Sequence, residues 1–182
     1  MKLSNLQKRL AESSPYLPAE DTFFLADHIE NEKGETALDI GTGSGFLAKI
    51  LSDSFGLVIG TDININSLRQ QYVPIRNMIC CNAADVFSKK FDLIICNLPY
   101  LATDEIIDPA TDGGVDGFEI PSQIIKSALS CLNKSGKFIF VTSSLSNYQK
   151  LIDMVNSEGF SAIILARKKL FFEELILIQV TS

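Results

Sequence analysis

The sequence predicts a doubly wound α/β fold: a seven-stranded, mostly parallel sheet with helices on both faces and an antiparallel hairpin at its end. Three observations carry this. Between Thr36 and Thr142, short apolar runs suited to buried strands alternate with stretches of helical period. Right-handed crossovers between parallel strands require helices over both faces. After the last helical stretch, two strand-like runs follow with no helix between them, so they are expected to pair antiparallel and add one antiparallel strand to the sheet.

Leu3, Leu6 and Leu10 recur at helical spacing and predict a short amphipathic helix over 3–12, which Pro15 and Pro18 break. A second helix is expected from Thr22 to Glu30. Strand Thr36–Ile40 follows, then a helix over Phe46–Ser52 with Phe46, Leu47, Ile50 and Leu51 on one face, then strand Leu57–Thr61. The next helix starts near Asn64, and Pro74 stops it. Asn77–Cys81 and Phe91–Cys96 are the third and fourth strands. Pro121 suits the first turn of a helix reaching Leu132, with Ile124, Ile125, Ala128, Leu129 and Leu132 on one side. Lys137–Thr142 is the fifth strand, Tyr148, Leu151, Ile152 and Val155 mark the last helix, and Phe160–Ala166 and Glu174–Thr181 form the hairpin. In this order strand 77–81 lies at one sheet edge, and its apolar character invites pairing with another chain.

A chain of 182 residues fits one domain, 1–182, and is long enough to bury a substantial core. No internal repeat, low-complexity segment or linker divides it. No apolar stretch approaches the roughly 20 residues that cross a bilayer, and the amino-terminal residues lack a signal-peptide core, so a cytoplasmic location without membrane attachment is expected. Cys80, Cys81, Cys96 and Cys131 lack Cys-x-x-Cys spacing and fall in apolar runs, so they read as small hydrophobes and no metal site is expected. The net charge of −6 argues against a protein that grips nucleic acid through many phosphates. The one dense basic cluster, Arg167-Lys168-Lys169, reads as a solvated hairpin tip.

Asp39-Ile40-Gly41-Thr42-Gly43-Ser44-Gly45 sits at the carboxyl end of the first strand and opens a helix. Open α/β sheets bind ligands outside such strand ends, and glycines let the backbone approach a ligand closely. A dinucleotide site is the competing reading, but its fingerprint needs a third glycine at the position of Phe46. A structural tight turn is the plainer alternative. Asp62, about 20 residues on and followed by Ile63, can accept both hydroxyls of a ribose, or else cap the next helix. Asp85, followed by Val86, can accept from an adenine amino group, or simply stand in solvent. After the fourth strand comes Asn97-Leu98-Pro99-Tyr100, whose alternative reading is a simple proline turn. The lone histidine, His28, lies outside these motifs and reads as structural or surface.

Together, in this order and separation, these motifs resemble the class I, Rossmann-like methyltransferases of the HemK-like release-factor glutamine methyltransferase family. Tyr16-Leu17-Pro18-Ala19-Glu20-Asp21-Thr22-Phe23 is similar to that family's Pro-x-Glu-Asp-Thr-Phe stretch, and the resemblance runs through essentially the whole chain. It implies S-adenosylmethionine as cofactor, bound by Thr22, Asp39, Gly41, Gly43, Asp62, Ile63, Asp85, Val86 and Asn97, with residues 1–35 as a helical segment covering the cofactor. It implies chemistry at Asn97, Leu98, Pro99 and Tyr100. Asn97 Oδ1 and the Leu98 carbonyl would accept the two N–H bonds of a planar amide and turn its lone pair toward the methyl, while Tyr100 stacks on the amide. Leu98 departs from the usual proline or isoleucine, but only its carbonyl is used.

Asp112-Gly113-Gly114-Val115-Asp116-Gly117, in a long loop, resembles the family's Gly-Gly-x-x-Gly segment near the substrate; a surface turn is the other reading, and no catalytic residue is assigned there. Only about 35 residues precede the cofactor turn, which matches the short archaeal/eukaryotic subgroup that acts with a small zinc-binding activator. The expected substrate is the glutamine of the Gly-Gly-Gln loop of a class I release factor, and the activator is expected to pair at strand 77–81. An RNA or DNA amino-methyltransferase shares residues of the 97–100 type and is the alternative enzyme. A cofactor-binding scaffold with an idle loop is the non-enzymatic alternative, against which intact Asn97 and Tyr100 argue.

Overall fold

The computed structural model describes residues 16–182; the helix expected over 3–12 lies outside them. In chain order, helix α1 (Glu20–Ile29) precedes strand β1 (Gly34–Ile40), α2 (Phe46–Leu51), β2 (Phe55–Asp62), α3 (Ile65–Arg69), β3 (Met78–Cys80) and β4 (Phe91–Asn97). Two short strands follow, β5 (Leu101–Ala102) and β6 (Asp112–Gly114), then α4 (Glu119–Ser130), β7 (Leu132–Ser143), α5 (Tyr148–Ser157), β8 (Ser161–Lys169) and β9 (Glu174–Thr181).

The main sheet has the expected seven strands in the order β3-β2-β1-β4-β7-β9-β8, and β9 alone runs antiparallel, to β7 on one side and β8 on the other. Its central strands are buried on both faces, which explains why they read as nearly continuous apolar runs. In β7, Phe138 and Phe140 face one layer while Ile139 and Val141 face the other, the two-residue alternation of a strand. Ile125, Ala128 and Leu129 of α4 and Leu151, Ile152 and Val155 of α5 close the first layer. Phe24, Leu25 and Ile29 of α1 and Leu47, Ala48 and Leu51 of α2 close the second. The strand order reverses between β1 and β4, so a crevice opens at the carboxyl ends of those two strands.

Three expectations need correction. The helix from Asn64 stops at Arg69, well before Pro74. The segment after it is held against the glycine turn instead, by Val73 N–H to the Ser44 carbonyl (3.1 Å) and Gln71 Nε2 to the Gly43 carbonyl (3.4 Å). Strand 77–81 lies at the sheet edge as expected: Met78–Cys80 pair with β2, and the Asn77 carbonyl accepts from the Gly60 N–H (2.9 Å) while the Cys81 N–H donates to the Asp62 carbonyl (3.1 Å). The long loop after β4 contains a small parallel ladder, β5 with β6. Finally, Arg167-Lys168-Lys169 closes β8 and is not the hairpin tip: Arg167 pairs with Glu174 and Lys168 with Glu20, both at 2.6 Å, and the turn itself is Leu170–Glu173.

Candidate active site

The glycine turn is built on a buried carboxylate. Asp39, 1% exposed, accepts from Thr42 Oγ1 (2.7 Å) and the Ala48 N–H (3.1 Å) through Oδ2, stitching the turn to α2. Its Oδ1 has no hydrogen-bond partner among the described residues. Burial pushes this carboxyl up to about 7, against the opposing pull of Thr42 and Ala48, with the nearby Asp62 charge adding to the rise. Gly45 has φ +81, and a Cβ there would sit 2.2 Å from the Val73 carbonyl oxygen, so the close approach of the 70–75 segment requires glycine.

Asp62 joins the end of β2 to that turn. Oδ2 accepts from the Gly43 N–H (3.0 Å) and Oδ1 from the Asn64 N–H (2.7 Å), while Asn64 supplies the cap of α3. Burial raises the Asp62 carboxyl, and these two backbone donors oppose it. Beyond Asp62 opens a cavity of about 430 Å³, within the roughly 300–1,000 Å³ of typical small-molecule sites. Gly41, Gly43, Asp62, Ile63, Asn97 and Pro99 all line it, so six of the residues expected from the sequence converge on one space. Asp108 and Asp112 line it too, and no lysine, arginine or histidine does among the described residues.

Asp85 and Val86 stand outside this lining. Asp85 accepts from Ser127 Oγ (2.5 Å) and from Asn82 Nδ2 (2.9 Å), and it is Asn82 that lines the cavity. Asp39, Thr22, Leu98 and Tyr100 also lie behind or beside the wall.

The turn after β4 owes its geometry to α1. Asn97 Nδ2 donates to Thr22 Oγ1 (3.4 Å), and Thr22 Oγ1 donates in turn to Asp21 Oδ1 (3.2 Å). Because that carboxylate takes the threonine proton, Thr22 can only accept from Asn97, which fixes the amide orientation. Asn97 Oδ1 is thereby left buried, at the cavity wall, with no partner among the described residues. A buried acceptor without a partner is costly, and this one can accept a hydrogen bond from a molecule bound in the cavity.

Asp21 also receives the Tyr16 hydroxyl (3.1 and 3.0 Å to its two oxygens), the Tyr100 hydroxyl (3.5 Å) and the Thr22 N–H (2.6 Å). Burial first, then the negative charges of Asp21 and Glu173, push the Tyr100 phenol up, so it stays neutral as a fixed ring. Leu98 is buried in the core, and its N–H donates to the Val141 carbonyl (3.3 Å).

The loop beyond braces this turn. Asp112, 7% exposed, gathers the N–H groups of Ile107 (2.7 Å) and Asp108 (2.8 Å). Gly113 and Gly117 lie against the backbone of the 97–100 turn: a Cβ on them would come within 2.6 Å of the Pro99 carbonyl oxygen and 2.3 Å of the Tyr100 carbonyl oxygen. The 112–117 segment is therefore a support of the turn, a role its sequence did not reveal. Asp21 was missed as well, although it lies inside the quoted Glu20-Asp21-Thr22 stretch; its partner Tyr100 is 79 positions away. His28 plays no part: Nδ1 bonds the Phe24 carbonyl within α1.

Residues 20–170 match the family model of the methyltransferase small domain. A provisionally named protein N5-glutamine methyltransferase of Methanocaldococcus jannaschii is 34% identical over 177 residues, covering 90% of this chain and 90% of its own. Methyltransferase HEMK2 of Homo sapiens is 30% identical over 175 residues, covering 83% of this chain and 82% of its own. A chain of the E. cuniculi Mtq2–Trm112 complex, responsible for methylation of the eRF1 translation termination factor, shares the fold: TM-score 0.79 at 23% identity, over 92% of this chain and 98% of that one.

Proposed function

The chain belongs to the methyltransferase small domain family, and from that premise we propose that it methylates the side-chain nitrogen of the glutamine in the Gly-Gly-Gln loop of a class I translation termination factor, with S-adenosylmethionine as donor. The observation that carries this reading is Asn97 Oδ1, a buried acceptor at the cavity wall with no partner of its own. An N–H donor of the substrate can satisfy it, and a primary amide brings two.

The residues present fit the cofactor. The cavity wall carries Asp62, Asp108 and Asp112 and no basic side chain among the described residues, so it favours a cation and repels the phosphates of a dinucleotide. S-adenosylmethionine, when bound, supplies an electrophilic methyl on a positively charged sulfur. Asp62 keeps lone pairs for ribose hydroxyls beyond its two backbone donors. Gly41 and Gly43 let the turn approach closely, Ile63 supplies an apolar wall, and Asp85 holds Asn82 toward the base end with Val86 beside it. Thr22 acts through Asn97.

An amide nitrogen is a weak nucleophile because its lone pair is delocalised into the carbonyl. Asn97 Oδ1 and the Leu98 carbonyl accept its two N–H bonds and hold the lone pair on the methyl, and orientation of this kind contributes up to several kcal/mol of rate, of the order known for well-placed reactants. Pro99 shapes the wall, and Tyr100, tied to Asp21, gives the amide a flat neighbour. The amide proton departs to water as its nitrogen gains the methyl, and no side-chain base is required.

A small zinc-binding subunit is the proposed partner, adding a strand at β3, where three residues pair on one side only and Met78 is 40% exposed. No helix among the described residues is long and apolar enough to cross a membrane, and the enzyme is placed with its substrate in the cytoplasm. The test is mass spectrometry after incubation with the factor, cofactor and partner. One added methyl on the Gly-Gly-Gln glutamine is the expected result. Label appearing in tRNA or rRNA while the factor stays unmodified would transfer the assignment to a nucleic-acid amine.

A further inference from the structure

Phe171 and Phe172 are the most exposed large apolar side chains of the described chain, 91% and 85%. They are the two central residues of the turn between β8 and β9, closed by the Leu170 N–H to the Glu173 carbonyl (2.8 Å), and their rings meet edge to face at 4.6 Å. Such positions ordinarily take glycine, asparagine, aspartate or proline, so nothing local calls for aromatic residues there. Two rings in water at a loop tip gain nothing for the fold, and exposed apolar residues of this kind mark interaction sites.

The tip is held rigidly. Arg167 pairs with Glu174, Lys168 crosses to Glu20 at the start of α1, and Ser143 Oγ donates to Glu173. It also shares the catalytic face. Through two antiparallel steps β8 runs parallel to β7 and β4, so its carboxyl end emerges beside the turn that follows Asn97. The Glu173 charge reaches the phenols of Tyr16 and Tyr100. Three strand spacings separate β4 from β8 laterally, about 14 Å at roughly 4.8 Å each, and Ala166 of β8 stands level with Asn97, so the tip lies further out along the strand direction as well. The charge around the tip selects among partners. Of its three adjacent cations, Arg167 and Lys168 are held in ion pairs with Glu174 and Glu20, so the tip offers little basic surface to anionic lipid or RNA phosphate.

We propose that Phe171 and Phe172 dock the protein substrate, inserting into an apolar depression on the folded domain that carries the reactive glutamine, more than about 14 Å from that glutamine. This rests on the protein-glutamine reading above. It makes a folded substrate distinct from a short one: two residues on either side of the glutamine extend only about 7 Å and cannot reach the tip.

The test compares wild type with the double variant Phe171→Ser/Phe172→Ser, whose melting temperature and S-adenosylmethionine affinity should match wild type. Methyl-transfer kinetics are measured on the folded termination factor and on a pentapeptide centred on its Gly-Gly-Gln glutamine. Binding of the labelled factor is measured separately, by anisotropy with S-adenosylhomocysteine present and no turnover. The expected result is a rise of 10-fold or more in KM and Kd for the factor, with kcat and pentapeptide turnover within twofold. An unchanged KM and Kd overturns the docking role and leaves glutamine methylation standing. Equal losses on factor and pentapeptide overturn it too, since they mean the tip supports the site itself. Wild type that sediments with phosphatidylserine vesicles, when the variant does not, replaces the protein partner with a membrane. If wild type leaves the glutamine unmodified, the function above fails, and the anisotropy still decides docking, because equal Kd values then refute it.

Discussion

Gly117→Ala is the sharpest probe of how the turn after β4 is supported. Gly117 has φ +61, a left-handed conformation that costs an L side chain about 1–2 kcal/mol. A Cβ there would sit 2.3 Å from the Tyr100 carbonyl oxygen and 2.8 Å from Ser146 Cβ. The first is backbone of the 97–100 turn and has no flexible end to yield. Reaching even 3.0 Å, below which real Cβ atoms essentially never come, demands a shift of about 0.7 Å in 99–100 or in the glycine segment. A misplacement of roughly 1 Å costs up to about 100-fold in rate, so kcat should fall about 10- to 100-fold, or some 1.4–2.7 kcal/mol. Gly159→Ala supplies the control. Its φ of +86 is equally left-handed, yet nothing lies within 4 Å of the added carbon. It should lose stability alone, by about 1 kcal/mol. Initial-rate kinetics on the termination factor and thermal melts of both variants decide the matter. If Gly117→Ala keeps more than half of wild-type kcat and melts like Gly159→Ala, the 112–117 segment does not brace the turn.

Asn97→Ala should reduce methyl transfer far more than 10-fold while the fold survives by circular dichroism; a variant retaining over a tenth of wild-type rate, a barrier change under about 1.4 kcal/mol, excludes Asn97 from holding the amide. Leu98→Pro, innocuous if only its carbonyl matters, removes the N–H bonded to Val141 and should cost about 1 kcal/mol in denaturant midpoint with kcat nearly unchanged. Asp39 binds its proton more tightly when folded, about 7 against an ordinary 3.8, so the folded state holds more protons between those values and stability declines as pH rises from 4 to 7. Urea melts across that range should show less of this decline in Asp39→Asn, and an identical slope would mean that Asp39 is ionised throughout. Asp21→Asn removes the charge that helps hold the phenols of Tyr16 and Tyr100 up, so ultraviolet titration should show tyrosine ionisation beginning at lower pH, with kcat reduced. Superimposable titration curves would remove Asp21 from that network.

The parts of this fold that could be read from sequence are those set by local pattern. Buried strands such as Phe91–Asn97 declare themselves as apolar runs, and the glycine turn and the 97–100 turn sit where such strands end. Parts set by contacts between distant segments could not be read that way. Arg69 ends α3 because residues 71–73 are needed against Ser44 and Gly43, a tertiary demand that overrides the signal of Pro74. Leu101–Ala102 and Asp112–Gly114 are too short to show a period. Asp21 means little beside Thr22 alone; it matters because Tyr16 and Tyr100 both point their hydroxyls at it. Asp85 reads as a ligand contact from its place after a strand, but its bond to Ser127, 42 positions away, could not be read from the sequence.

The place of β9 bears on how the molecule comes into being. β8 is made before β9 yet touches β7 only through it, because β9 lies between the two. Until residues 174–181 leave the ribosome, β7 shows an open edge beside Phe138 and Phe140, and β8 has nothing to pair with. Half-made sheets with apolar edges are the species that aggregate and attract chaperones. A chain that lacks residues 174–181 would therefore hold its glycine turn, Asn97 and Tyr100, but with its sheet open and prone to aggregate.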